Sequence, residues 1–137
     1  MTKQELCLAA VEAKKSAYAP YSGFCVGSAL LTASGRVYTG CNIENASFTP
    51  TICAERTAIF KAVSEGERDF AMIAIVGGKG DTISAATPPC GVCRQVMSEF
   101  CSADFPILLV QDENGTYEEC TLGELLPRAF YPERFTD

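Results

Sequence analysis

Histidine is missing from all 137 residues of this chain, and so is tryptophan. The first absence removes the commonest general base, a common metal ligand, and every Ser-His-Asp or Cys-His nucleophile. Positive charge is also scarce: eleven Lys and Arg stand against seventeen Asp and Glu, a net −6 with a pI near 4.7. That is the wrong sign for neutralising a row of phosphates, which disfavours a nucleic-acid polymer as partner and suits a small neutral ligand. No stretch approaches the roughly 18 to 20 apolar residues of a membrane span. The N-terminus, Met1-Thr-Lys-Gln-Glu-Leu6, opens polar and lacks the apolar centre of a signal peptide. The expectation is a soluble, cytoplasmic protein without a membrane partner, and the length fits a single domain over residues 1–137.

Cysteine, by contrast, is abundant, at eight residues. An exported chain would turn eight cysteines into four disulfides, whereas a reducing compartment favours metal ligation or catalysis. With histidine absent, any chemistry must run on cysteine and carboxylate. Two stretches offer both: Cys53-Ala-Glu55-Arg56 and, 37 positions after Cys53, Pro89-Cys90-Gly-Val-Cys93. Together they provide three thiolates for a metal and one carboxylate for its water.

The surrounding pattern places both stretches at helix starts. Thr2 with Glu5 reads as a capping box, and Leu6, Ala9, Ala10, Ala13 and Ala17 at helical spacing predict a helix over about 3 to 18. Val26–Thr32 and Arg36–Asn42 read as two strands around Ala-Ser-Gly. Pro50 is placed to start a helix from Cys53 to about Ser64, with Cys53 in its first turn. The apolar run Met72–Val76 predicts a central strand, followed by a loop from Gly77 to Thr87 and a second helix over about Cys90 to Phe100. Ile107–Gln111 and Tyr117–Thr121 flank Asn114-Gly115 and should pair antiparallel. Thr121 with Glu124 caps a brief helix that Pro127 stops, and residues 128–137 read as an irregular tail. This order predicts an α/β fold: a three-layer α/β/α sandwich around a five-stranded mixed sheet, with both cysteine-bearing helices on one face.

Three soft thiolates with an open fourth position point to one catalytic Zn²⁺ per chain. Their charges leave the site at net −1, which makes bound water less acidic. The positive helix ends offset this, and Arg56, three residues past Cys53, is placed to donate to a thiolate. Glu55 lies on another side of the same turn, where it can shuttle protons between the water and a substrate. The plain alternatives are a surface arginine and a carboxylate that merely complements the helix end.

These residues resemble the cytidine deaminase family, in its short form with three cysteine ligands. The likeness runs almost end to end, through Tyr18-Ala-Pro-Tyr-Ser-Gly-Phe24, Val26-Gly27, Gly40-Cys-Asn-Ile-Glu-Asn-Ala46, Cys53–Arg56, Pro89–Gln95 and Leu125-Leu-Pro127 with Phe130. The resemblance implies that Phe24 packs on the pyrimidine, that Asn42 and Glu44 read the ribose hydroxyls, that the Ala54 backbone holds the base, and that Gln95 stands behind the zinc. It further implies a homotetramer in which Ala46, Phe48 and Phe130 reach a neighbouring subunit's pocket. Phe48 stands where a tyrosine is also found in the family. The implied reaction, part of pyrimidine salvage, converts cytidine and 2′-deoxycytidine to the uridines with release of ammonia; water activated at the zinc adds to C4 and Glu55 relays the protons.

The rivals are weaker. Blasticidin S deaminases share the zinc residues but lack the segment Asn42-Ile-Glu-Asn45. Adenine-acting tRNA deaminases usually carry His-Ala-Glu and need a basic surface. A structural zinc closed by a fourth cysteine, such as Cys41, usually shows two Cys-x-x-Cys knuckles, and a redox reading of Cys90–Cys93 leaves Cys53 and Glu55 unexplained. The remaining cysteines, Cys7, Cys25, Cys41, Cys101 and Cys120, read as small buried hydrophobes.

Overall fold

Alternation of side chains along three adjacent strands sets up two cores. In the computed structural model, which describes residues 1–135, β1 (Phe24–Thr32), β3 (Phe70–Lys79) and β4 (Pro106–Val110) lie side by side. Leu30, Ile73, Ile75, Ile107 and Leu109 face one side of the sheet, while Ala29, Ala74, Val76, Leu108 and Val110 face the other. A strand buried on both faces must be apolar at successive positions, which is why Met72–Val76 lacks polar residues. Completing the sheet are β2 (Val37–Cys41) and β5 (Tyr117–Thr121) at its edges, in the order β2-β1-β3-β4-β5. Only β3 and β4 pair in parallel; the other three contacts are antiparallel, so the sheet is mixed as expected.

The first core is covered by α2 (Ala54–Ser64), α3 (Gly91–Phe100) and α4 (Leu122–Leu125), the second by α1 (Lys3–Lys14). Each fully buried Ile or Leu in these layers stabilises the fold by roughly 1.5 to 3 kcal/mol. The two cysteine-bearing helices therefore share one face of the sheet. Close approach of α2 to β2 depends on Gly40: a Cβ there would lie 2.5 Å from the Ala54 carbonyl oxygen and 2.6 Å from the Ala58 nitrogen. Both capping boxes form, Thr2 with Glu5 and Thr121 with Glu124.

Four expectations need correction. The first helix stops at Lys14 instead of about residue 18, because the chain must turn so that Tyr18 can pair with Ile43; its N–H donates to the Asn42 carbonyl at 3.0 Å. Gly77 and Gly78 belong to β3 and not to a loop, since pairing continues through Val26↔Gly77 and Cys25↔Gly78. Pro50 lies in a turn, three residues short of the N-cap, and Cys53 and Cys90 are N-caps just ahead of the first turns instead of lying in them. The C-terminal segment is not wholly irregular, since Pro132–Phe135 form a 3₁₀ turn; residues 136 and 137 lie outside the described residues.

Candidate active site

Two helix N-termini meet at the cysteine cluster. Cys53 and Cys90 are their N-caps, both extended and neither capped by a side-chain hydrogen bond. The positive ends of both helix dipoles nevertheless lie next to these sulfurs and favour the thiolate form. Cys93, on the first turn of α3, is fully buried and completes the cluster: all three sulfurs lie within 4.8 Å of one another, and the Cys53 and Cys90 Sγ atoms are 3.5 Å apart. Tetrahedral zinc with Zn–S bonds of about 2.3 Å needs sulfurs about 3.8 Å apart, so this set needs little adjustment. Cys41 is not in the cluster; among the described residues Cys53, Cys90 and Cys93 are the ones gathered for a metal.

Glu55 lies in the first turn of α2 and is 3% exposed. Its Oε1 is buried with no hydrogen-bond partner among the described residues. Burial raises this carboxyl to about 7, against a backbone N–H that lowers it and the neighbouring Cys53 thiolate that raises it further. An orphaned buried carboxyl oxygen beside three thiols is what a zinc with an open position, holding a water, would satisfy. The donor set and the empty acceptor thus fit the metal.

Arg56 lies over the same sulfurs, with Nη2 3.4 Å from Cys53 Sγ. The Cys53 thiol is held well below its ordinary range, at about 5, by the hydrogen bond from Cys93 first and by the Arg56 guanidinium after it. Cys93, as the partner that keeps the proton, is pushed up, first by its hydrogen bond with Cys53 and next by burial. Outside the cluster, burial lifts the Cys7 thiol to about 11 and the Cys101 thiol to about 12. Cys7 is fully buried as expected, but Cys25, Cys41, Cys101 and Cys120 are only half-buried.

The second half of the candidate site lies where β1 begins and β2 ends. Asn42 is 9% exposed and spans the backbone of β1, Oδ1 accepting from the Val26 N–H at 2.8 Å and Nδ2 donating to the Phe24 carbonyl at 2.9 Å. Glu44 accepts at Oε1 from the Tyr21 and Ser22 N–H groups and at Oε2 from the Ser22 hydroxyl. Those bonds, the Ser22 hydroxyl foremost, hold its carboxyl below the usual range. The Phe24 ring stands over Gly77; a Cβ at Gly77 would lie 3.0 Å from that ring and 2.7 Å from the Thr87 hydroxyl. Ala54 is fully buried at the start of α2.

The remaining expected residues lie outward. Gln95 is exposed on α3 and its Nε2 donates to the Phe130 carbonyl at 3.0 Å. Ala46 is exposed, and Phe48 and Phe130 are 69% and 56% exposed. Phe48 has φ +58 and packs edge-on against Tyr21, ring centroids 6.1 Å apart. Sequence reasoning gave no role to Ser22, Thr87 or Arg94. Arg94 braces the approach to Cys90, its Nε donating to the Pro89 carbonyl at 2.7 Å and its Nη1 to the Leu125 carbonyl at 2.6 Å. A side chain bonded to distant backbone carbonyls leaves no mark in local spacing.

Three clustered thiols, a buried carboxyl and two helix N-termini on one face of a mixed sheet are the parts of a catalytic metal site. The comparisons narrow the class. Residues 1–109 match the model of the cytidine and deoxycytidylate deaminase zinc-binding region, and the chain belongs to that family. It is 51% identical over 137 residues to a cytidine deaminase of Halalkalibacterium halodurans, covering all of both chains. It also superposes on the crystal structure of a cytidine deaminase from Burkholderia pseudomallei, with a TM-score of 0.86 at 45% identity, covering 95% of this chain and all of that one. At greater distance, a blasticidin-S deaminase of Bacillus cereus is 33% identical over 106 residues, 74% of each chain.

Proposed function

We propose that this chain hydrolyses cytidine and 2′-deoxycytidine to uridine and 2′-deoxyuridine, releasing ammonia, with one zinc held by Cys53, Cys90 and Cys93. The observation that carries the reading is the buried Glu55 carboxyl, with its unpartnered Oε1, beside three thiols gathered at two helix ends. The full-length relative at 51% identity supports the choice of nucleoside. Zinc, when bound, supplies an electrophilic centre that makes water a nucleophile near neutral pH.

The residues then divide the work. Glu55 takes a proton from the attacking water and delivers it to N3 of the pyrimidine as oxygen bonds to C4. It next carries the second proton to the amine at C4, the C–N bond breaks, and ammonia leaves behind a carbonyl. A carboxyl lifted toward neutrality by burial can hold and release a proton at both steps. Arg56, donating to Cys53, draws electron density from a centre that three thiolates make too negative. Phe24 packs on the base, the Ala54 backbone orients it, and Asn42 and Glu44 accept the sugar hydroxyls; Gln95 anchors the Phe130 backbone behind α3.

The exposed Tyr21–Phe48 pair and the separately exposed Phe130 support a homotetramer in which Ala46, Phe48 and Phe130 face a neighbour's pocket. Eight unpaired cysteines fit a reducing cytoplasm, where the reaction serves pyrimidine salvage. The test is ammonia release from cytidine, 2′-deoxycytidine, cytosine and blasticidin S. Turnover of the two nucleosides, with cytosine far slower, is the expected result; faster turnover of blasticidin S would replace the reading with that of the more distant relative.

A further inference from the structure

Between the aromatic assigned to the base and the carboxylate assigned to the sugar stands one hydroxyl that neither assignment uses. Ser22 Oγ donates to Glu44 Oε2 at 2.5 Å and accepts from the Phe24 N–H at 3.0 Å. The Ser22 N–H also donates to Glu44 Oε1 at 3.1 Å, and the Tyr21 N–H donates to the same oxygen at 2.9 Å. Both carboxylate oxygens are thus engaged from one side by a single two-residue stretch. Oε1 already accepts from two N–H groups, so it is Oε2, bonded only to the Ser22 hydroxyl, that keeps a lone pair free for another donor.

The stretch that carries Ser22 is itself held at both ends. Tyr18 pairs with Ile43, and the Glu44 N–H donates to the Tyr18 carbonyl at 2.8 Å. At the other end the Gly80 N–H donates to the Gly23 carbonyl at 3.1 Å, and the Gly80 carbonyl accepts from the buried Lys14 ammonium at 2.6 Å. A hydroxyl on so fixed a segment does not have to be ordered when a ligand arrives, which is the condition for orienting a partner cheaply. The direction of its bond also matters. Ser22 uses its proton on Glu44 and its lone pair on Phe24, so the carboxylate is kept ionised and acceptor-only.

We infer that Ser22 is a positioning residue for sugar recognition: it orients the Glu44 carboxylate toward a ribose hydroxyl and links that carboxylate to the backbone of Phe24. The inference rests on the nucleoside reading proposed above. Ser22 touches neither substrate nor zinc in this assignment; it acts through Glu44. Its loss therefore weakens binding of substrates that possess the sugar hydroxyl and leaves the chemistry at C4 unchanged. A hydrogen bond to a charged group in such a place is worth about a tenfold change in affinity or somewhat more.

Threonine and valine at position 22 give nearly the same shape with and without the hydroxyl, and Ser22 is exposed, so both are accommodated. Kinetics of wild type, Ser22→Thr and Ser22→Val are measured with cytidine and with 2′,3′-dideoxycytidine, alongside zinc content and thermal midpoint. The expected result is a KM for cytidine about tenfold higher in Ser22→Val, with kcat nearly unchanged, restoration in Ser22→Thr, and no difference among the three with the dideoxy substrate. An equal KM for cytidine in the Thr and Val variants overturns the inference, as does a Val penalty of the same size on the dideoxy substrate, which would make Ser22 merely structural. Should wild type fail to turn over cytidine, or fail to distinguish it from the dideoxy compound, the fault lies with the nucleoside reading or with Glu44, and the two failures are separate.

Discussion

The cysteine cluster and the proposed sugar end of the site are built on opposite plans. At the cluster, Cys93 and Glu55 are buried, the sulfurs are already gathered, and the neighbouring arginine is in hydrogen-bond reach. Around Tyr21, Ile43 and Phe48, large apolar side chains face outward and Phe48 occupies a left-handed backbone conformation. One half is gathered and mostly buried within a single chain; the other leaves its apolar side chains exposed. Chemistry that must exclude bulk water and place a proton within a fraction of an ångström calls for a rigid, buried setting, here one that leaves the Glu55 Oε1 unpartnered for a ligand. Recognition of a ligand's outer end can be shared with a neighbour, because it needs contact area more than it needs a fixed field.

The largest effect should come from dismantling the buried half. Removing zinc with a chelator, or replacing Cys93 by Ser, is expected to abolish turnover, with metal analysis falling from one zinc per chain to none. Full activity in metal-free protein would end the contrast, since the cluster would then be a structural ornament. Glu55→Gln comes next: turnover should drop about 10²- to 10⁴-fold with zinc retained. The thermal midpoint of that variant should hold or rise, because a buried carboxyl with an unpartnered oxygen is replaced by a neutral amide.

Asn42→Ala tests where the boundary between the halves runs. Asn42 belongs to the sugar end by assignment, yet it is buried and bonded to the backbone at Val26 and Phe24. Its removal should cost about 1 to 3 kcal/mol of stability, read by denaturant unfolding, together with a higher KM for cytidine. A purely kinetic effect would place Asn42 with the open half. The smallest effect on the isolated fold is expected from Phe48→Ser, within about 0.5 kcal/mol for so exposed a side chain. Its consequence should appear instead in sedimentation, as a weakened assembly. A wild-type chain that sediments as a monomer at micromolar concentration would remove the shared pocket altogether.

Much of the fold was legible because it obeys short-range rules. The apolar run at Met72–Val76 announced a central strand, and Asn114-Gly115 announced the turn between β4 and β5. Where tertiary pairing overrides local pattern, the reading failed. Gly77 and Gly78 look like a loop by composition, yet they continue β3 because the start of β1 pairs with them and the segment around Thr87 packs on top. Ala17 continues the helical spacing, yet the helix ends at Lys14 because Tyr18 is drawn to Ile43.

By itself the amino-acid sequence determined the metal chemistry of this protein. With histidine absent, Cys53-Ala-Glu55 and Cys90-x-x-Cys93 left thiolate ligation with a single carboxylate, and the roles proposed for them depend on residue type and on spacing within single helical turns. Only the tertiary structure decided how the carboxyl is tuned and how the sugar end is tied together. Burial lifts Glu55, a property of everything packed around it and not of its neighbours in the chain. Ser22 meets Glu44 across 22 positions because the Tyr18–Ile43 bridge brings two turns together. Ligand identity is local chemistry, whereas pKa and orientation are set by long-range packing, and for that reason the first could be read along the chain and the second only across it.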